Sequence, residues 1–249
     1  HIEYVRTQSA GVAYPATITP PDDPGDFHSN PWPKGWQNID PYESYRTIFN
    51  GSLTAYENKE VIFTRGSNYG SEGVNVMALH QMPRSKGGGY NCHGITQKQC
   101  DAYYMNDGTN CPGMNNMYQG RPGYTDQSRY DTRSRPIGLV SRDELKDYPE
   151  LGQDANVSKQ YASREPRFYA SVAYNGSTWN LLNADNGKNE QPNQQIFYYR
   201  GELDGYQTGT FWLHTGIGIK KFIHPNDISE TDKGYYVDRM QKKAPIEIR

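Results

Sequence analysis

Apolar and polar residues alternate along short stretches of this chain, most clearly over residues 167–174. Side chains of a strand point alternately to opposite faces, so this pattern predicts a strand. Asn175-Gly176 follows directly and is a turn pair that tolerates positive φ. Two further apolar stretches, 178–183 and 195–200, come next along the chain. The pattern therefore predicts a small antiparallel hairpin or meander in this part of the chain.

Apolar residues at helical spacing predict two helices upstream of these strands. The first covers 42–56, with a break expected at Asn50-Gly51 because glycine disfavours a helix interior. The second covers 97–106, where Thr96 can cap the N-terminus and Gly108 can end the helix.

Three weaker patterns complete the expected elements. A short acidic helix is predicted near 141–147, where Ser141 precedes Glu144 by three residues, as in a capping box. Residues 74–80 form a short apolar piece, and residues 217–223 have the composition of an extended segment.

Glycine and proline interrupt nearly every one of these segments. The chain of 249 residues contains 25 Gly and 16 Pro, and only 34% of its residues are hydrophobic. Prolines recur through residues 1–41 and exclude regular structure there, and the triple glycine 87–89 predicts a flexible loop. Because 13% of the residues are aromatic, a disordered chain is not expected either. These patterns predict a loop-rich α+β segment with short helices, and they mark no internal domain boundary.

Charge and hydropathy argue against a nucleic-acid partner and against a membrane-spanning segment in this sequence. The formal net charge is -2, and acidic residues interrupt the basic ones, so no nucleic-acid-binding face is indicated. No apolar run approaches the ~20 residues that a membrane span requires.

The three cysteines, Cys92, Cys100 and Cys111, lie close together in the sequence. Their spacing does not match a zinc pattern. Cys100 falls on the inner face of the predicted helix 97–106, so we expect a buried thiol there. Cys92 and Cys111 flank that helix and can either bridge in an oxidising compartment or remain free.

No residue pattern indicates catalysis or a bound cofactor. A hydrolase needs paired carboxylates or an activated nucleophile, and no spacing in the sequence brings such groups together. Nucleophile-elbow, zinc-protease and phosphate-loop motifs are missing from the sequence. We therefore expect no catalytic residue, no metal site and no cofactor.

Aromatic residues on loops are better candidates for function, because a flat ring can stack on the C–H face of a sugar. Trp32 and Trp36 lie on a stiff, proline-flanked loop beside amide side chains, and such a loop loses little entropy on binding. Tyr69 and Tyr90 lie on glycine-containing loops and are further candidates. The alternative is that each ring folds inward as core, which is the reading for Trp179 and Trp212.

Four segments resemble signature stretches of the RagB/SusD family of Bacteroidetes. The segment REPRFYASVAYNGSTW at 164–179 is similar to the family's DPRFYATVLYNGSTW. NKEVIFTR at 58–65 resembles NEEVIF, and ITQKQCDAYYMNDG at 95–108 resembles PTQELVDAYEMKDG. APIEIR at 244–249 resembles the start of the helix PIIRLAEVLLNYAEALNE. The four occur in the family's order over residues 58 to 249.

The resemblance implies a mainly α scaffold, a helical-repeat superhelix, against which a loop-rich portion packs. We expect residues 1–249 to be one internal segment of such a protein, without the N-terminal repeats and the C-terminal helices. Such a segment is expected to expose a surface that packs against the missing helices.

The resemblance also implies a function. Family members are lipid-anchored at the outer-membrane surface, capture glycans or peptides without covalent chemistry and deliver them to a TonB-dependent SusC-like transporter. Two other classes of protein remain as alternatives to a glycan-capture protein: a secreted polysaccharide-degrading enzyme and a module that binds only protein.

Overall fold

The protein is described by a computed structural model, which defines residues 40–53, 57–58, 60, 74–85, 89–112, 135–179, 194–209 and 211–225. The helices within these ranges are α1 (Pro41–Phe49), α2 (Val74–Gln81), α3 (Gln97–Asp101) and α4 (Pro166–Ser171). Single 3-10 turns cover Asp143–Asp147, Pro149–Leu151 and Lys159–Tyr161. No helix in these described ranges has the length and apolar character needed to cross a membrane.

The described strands are two residues long and form antiparallel pairs. The strands are β1 (Leu139–Val140), β2 (Val157–Ser158), β3 (Val172–Ala173), β4 (Ser177–Thr178), β5 (Gln195–Ile196) and β6 (Gly218–Ile219). β1 pairs with β2, β3 with β6 and β4 with β5. The fold is thus α+β and loop-rich, as the sequence predicts.

α1 begins and ends where local capping dictates. The Asp40 carboxylate accepts the backbone N–H groups of Tyr42 and Glu43 at 2.9 and 3.0 Å, which caps the N-terminus. The helix ends at Phe49 with Asn50 as its C-cap, and Gly51 follows with φ 83°. The break predicted at Asn50-Gly51 is therefore confirmed, and α1 does not continue to residue 53.

Local capping also explains the acidic turn at Asp143–Asp147. Ser141 N donates to Glu144 Oε2 at 2.8 Å, and Glu144 N donates to Ser141 Oγ at 3.3 Å. This reciprocal pair is the predicted capping box, although the turn it starts is 3-10 rather than α.

α3 is correctly capped but shorter than predicted. Thr96 Oγ1 accepts the backbone N–H of Gln99 at 3.2 Å. The helix nevertheless ends at Asp101 rather than at residue 106. The chain leaves the helix because Glu165 Oε1 takes the backbone N–H of Tyr104 at 2.9 Å, a donor that would otherwise extend α3.

Arg164 ties the end of α3 to the start of α4. Its guanidinium Nη2 donates to the backbone carbonyls of Cys100 and Tyr103 at 2.7 Å each, and it lies 4.6 Å from the Phe168 ring centroid. The side chain is fully buried. The guanidinium thus binds carbonyls left without helical donors at a helix C-terminus, where a positive charge is favourable.

The predicted strand over 167–174 is wrong for most of its length, because residues 166–171 form α4 and only β3 is extended. Pro166 occupies the first helical turn, where its fixed φ favours a helix. Residues 168–174 are all buried. A half-buried strand has one buried and one exposed face, and this segment has no exposed face, so its apolar pattern does not favour a strand over a helix.

The hairpin prediction holds in part. Ser177 N donates to Tyr174 O at 2.9 Å and Gly176 has φ 85°, so the turn at Asn175-Gly176 is confirmed. The strands on either side of it do not pair with each other, however, since β3 pairs with β6 and β4 with β5. The apolar piece 74–80 is helical, and within 217–223 only β6 is paired.

Two clusters of buried side chains form the core of the described part of the chain. The first surrounds α4 and contains the stacked rings of Tyr161, Phe168 and Tyr174, with Tyr161 and Tyr174 centroids 4.8 Å apart. The second cluster consists of Ala78, Met82, Ala173, Trp179, Ile196, Tyr198, Leu213 and Ile223. Trp179 is 2% exposed, which confirms its predicted core position.

The cysteines are free thiols in the structure, so the bridge between Cys92 and Cys111 is not formed. Cys100 is fully buried, as predicted, and burial raises its pKa to about 12. Cys111 is also buried and lies 3.8 Å from Asp101 Oδ1.

Candidate functional site

The loop after α2 folds back over the C-terminal end of that helix. Tyr90 N donates to Leu79 O at 2.8 Å, and Asn91 N donates to Met82 O at 3.1 Å. A Cβ atom on Gly89 would lie 2.1 Å from Met82 O, so only glycine allows this close approach. Gly89 is therefore a fixed packing position, which corrects the prediction of a flexible loop at this residue; the other two glycines of the triplet lie outside the described residues.

This folded-back loop brings four rings together, which we call the Tyr90 cluster: Tyr90, Phe211, His80 and His93. The Tyr90 and Phe211 rings are stacked, with centroids 5.6 Å apart and planes inclined by 25°. His80 lies 5.2 Å from Tyr90 and 4.9 Å from His93. Tyr90 is 39% exposed and Phe211 is 56% exposed, so the two stacked side chains are accessible to a ligand.

A second ring group lies next to Phe211 in the sequence. Trp212 contacts His214 with centroids 4.1 Å apart and Tyr206 with centroids 5.0 Å apart. The prediction that Trp212 is core is wrong, since this side chain is only half-buried. Its neighbour Leu213 is 2% exposed and occupies the second core cluster instead.

The electrostatic environment beside the Tyr90 cluster is set by Arg84 and Asp204. Burial raises the pKa of the Asp204 carboxyl, although hydrogen bonds from Ser85 and Arg84 oppose this change. Burial also raises the pKa of the Cys92 thiol, against the opposing charge of Arg84. Asp204 is 3% exposed, so its carboxylate lies away from bulk water beside the cluster.

The carboxylates buried elsewhere are bound by neighbouring parts of the fold. Asp154 accepts from Tyr174 Oη at 2.7 Å and from Thr178 N at 3.1 Å. Asp101 accepts from Gln97 Nε2 at 2.9 Å and from Arg135 Nε at 2.8 Å. These contacts are typical of structural carboxylates. Within the described ranges, no three His, Cys, Asp or Glu side chains are grouped as a metal site.

Comparison with known protein families gives a match to the model described as "SusD family" over residues 47–249, which is most of the chain. The chain belongs to the SusD family. Among solved structures, this SusD-family chain is similar to a SusD-like protein from Bacteroides fragilis, with 23% sequence identity and a TM-score of 0.41. The match covers 75% of this chain and 29% of that protein, so the chain spans under a third of its relative. The curated proteins give no match.

Family membership confirms the resemblance identified from the four sequence segments. Short helices and small antiparallel sheets in the described residues agree with the predicted α+β segment. The helical-repeat superhelix and the assignment of the chain to an internal segment stay predictions.

Of the residues predicted to bind ligand, the structure of this SusD-family chain describes Tyr90. It places Tyr90 in an exposed aromatic cluster, while binding by this residue stays a prediction. Trp32, Trp36 and Tyr69 lie outside the described residues.

Sequence reasoning missed Phe211, His80 and His93, which the fold brings beside Tyr90. Phe211 is 121 positions after Tyr90 in the sequence, so no local pattern joins them. A strand pattern would place Phe211 and Leu213 on the same face, yet Phe211 is exposed and Leu213 is buried, so alternation in the sequence gave no signal for Phe211.

Proposed function

We propose that this chain is part of a SusD-type protein that captures glycans at the bacterial outer-membrane surface for nutrient uptake. The observation that supports this function best is the exposed, stacked pair of Tyr90 and Phe211. Aromatic rings present a flat apolar face for the C–H groups of a sugar ring. The chain belongs to the SusD family. The resemblance of its sequence to that family implied glycan capture, so family membership supports the same function.

We further propose that capture is non-catalytic. The described buried carboxylates bind neighbouring backbone and side chains rather than each other, which supports a structural role for them. In this proposal the chain holds the glycan and releases it unchanged, and no cofactor takes part.

Delivery to a transporter completes the proposal. A SusC-like TonB-dependent transporter would receive the glycan, with the protein held at the cell surface by a lipid anchor outside this segment. Co-purification of the full-length protein with such a transporter from solubilised outer membranes tests this part. Recovery of the protein alone, under conditions that keep transporter complexes intact, would contradict it.

Glycan capture by the Tyr90 cluster can be tested by isothermal titration calorimetry with amylopectin, xylan, galactomannan and a tryptic digest of casein. We expect at least one glycan to bind, and we expect Tyr90→Ala and Phe211→Ala each to weaken it about tenfold, which corresponds to about 1.4 kcal/mol. Tyr104→Ala is the matched control, because Tyr104 is 45% exposed but lies after α3, outside the Tyr90 cluster.

The outcomes separate the alternatives. Equal binding by all three variants would exclude the Tyr90 cluster as the site, and Trp32→Ala, Trp36→Ala and Tyr69→Ala variants would then test the other predicted residues. Release of reducing sugar from a bound glycan would instead favour a polysaccharide-degrading enzyme. Binding of casein peptides alone would indicate a peptide ligand, and no binding to the panel would favour a module that binds only protein.

A further inference from the structure

The Tyr90 cluster is assembled from two segments far apart in the sequence, and a buried carboxylate joins them. Asp204 Oδ1 accepts the backbone N–H of Arg84 at 2.5 Å and that of Ser85 at 3.2 Å, and Oδ2 accepts the Ser85 hydroxyl. The Asp204 backbone carbonyl accepts Asn91 Nδ2 at 2.7 Å. Asp204 is 3% exposed. One residue therefore fixes both ends of the loop that ends with Tyr90 and Asn91.

The Arg84 side chain makes a second connection between the same segments. Its Nη2 donates to the backbone carbonyl of Phe211 and lies 3.5 Å from that of Tyr90, a weak contact. The backbone N–H of Arg84 binds Asp204. Arg84 thus contacts the main chain of both residues whose rings stack.

We propose that Asp204 and Arg84 are positioning residues that hold Tyr90 and Phe211 in a preformed stacked arrangement for ligand binding. This inference rests on the proposed function. A ligand that meets two prealigned rings does not lose affinity to the ordering of either segment. Without Asp204 and Arg84, the segments that carry Tyr90 and Phe211 would have to be ordered relative to each other when the ligand binds.

The test measures affinity for the panel glycan that binds most tightly, using the full chain. Asp204→Asn keeps the side-chain shape but removes the charge and one acceptor, and we expect affinity to fall about three- to tenfold. Arg84→Met removes the guanidinium contacts while its backbone N–H can still bind Asp204, and we expect a similar loss. Because Arg84 is only half-buried, this second variant should fold even if Asp204→Asn does not.

A double-mutant cycle separates positioning from general destabilisation. If Asp204 acts by placing the Tyr90 ring, Asp204→Asn should weaken binding much less in a chain that already carries Tyr90→Ala. Asp154→Asn is the matched control, since Asp154 is also buried, at 5% exposure, but binds Tyr174 and Thr178. We expect Asp154→Asn to lower thermal stability without changing affinity.

The results distinguish this inference from the proposed function. Loss of binding in Tyr90→Ala with unchanged affinity in folded Asp204→Asn and Arg84→Met would overturn the positioning role and leave glycan capture standing. Additive losses in the cycle would also overturn it. Unchanged binding in Tyr90→Ala would overturn the positioning role and remove the Tyr90 cluster as the site, while glycan capture through other residues would still be open to test. No glycan binding by the unmodified chain would overturn both the positioning role and glycan capture.

Discussion

Replacement of Arg164 by methionine should strongly destabilise this SusD-family chain. The guanidinium makes two short bonds, at 2.7 Å, to the carbonyls of Cys100 and Tyr103. Hydrogen bonds to charged groups contribute about 1.5–3 kcal/mol each, so the pair contributes about 3–6 kcal/mol. Methionine fills much of the volume and removes a buried charge, which offsets part of the loss. We therefore expect the free energy of unfolding to fall by about 3 kcal/mol.

Urea unfolding followed by circular dichroism measures this change, and Arg167→Met provides a matched control. The Arg167 side chain is 50% exposed and forms a surface ion pair with Glu165 at 2.6 Å. Exposed pairs contribute less than about 1 kcal/mol. If Arg164→Met cost no more than Arg167→Met, the two carbonyls would have to find other donors, and the role assigned to the buried guanidinium would be refuted.

Three further predictions follow from single features of the structure. Gly89→Ala should lower the melting temperature, because its Cβ would lie 2.1 Å from Met82 O and the loop would have to move. Stability should fall above about pH 10, where tyrosine ionises in the unfolded chain. Burial raises the pKa of Tyr174 well above its usual value, so the folded chain keeps a proton that the unfolded chain loses, and Tyr174→Phe should make the decline with pH shallower. Iodoacetamide should modify the partly exposed Cys92 before Cys100, whose pKa burial raises to about 12, as mass spectrometry of the peptides can show.

Each of these predictions has a contradicting outcome. Gly108→Ala is the control for Gly89→Ala, since a Cβ at residue 108 meets no atom within 4 Å and only the φ of 83° opposes it. An equal fall in melting temperature in both variants would show that close packing against Met82 is not what makes Gly89 necessary. An unchanged pH slope in Tyr174→Phe would show that this hydroxyl does not govern alkaline stability. Equal labelling of Cys92 and Cys100 in the folded chain would show that Cys100 is accessible.

The sequence predicted those elements whose ends depend on neighbouring residues. The Ser141 and Glu144 capping box, the Thr96 cap and the helix break at Asn50-Gly51 all need contacts only a few residues long. Local chemistry decides such ends, so a sequence pattern is sufficient to place them.

Elements decided by tertiary contacts were not predictable in the same way. Residues 168–174 are buried on every side, so apolar spacing could not distinguish α4 from a strand. The end of α3 depends on Glu165 and on Arg164, more than 60 positions away from the residues they bind. The same distinction holds for the candidate site. The sequence identified Tyr90 from its position on a glycine-containing loop, whereas only the tertiary fold places Phe211 beside Tyr90.

The contacts between Arg84 and the segment containing Asp204 and Phe211 also bear on the order of folding. They join residues 120 and 127 positions apart, whereas the capping contacts of α1 span two or three positions. Closing so large a loop requires more conformational entropy to be lost before any contact forms, so non-local contacts form slowly. We therefore expect the stacked rings to come together late in folding, after the helices. In a refolding experiment, recovery of glycan binding should lag behind recovery of helical circular dichroism.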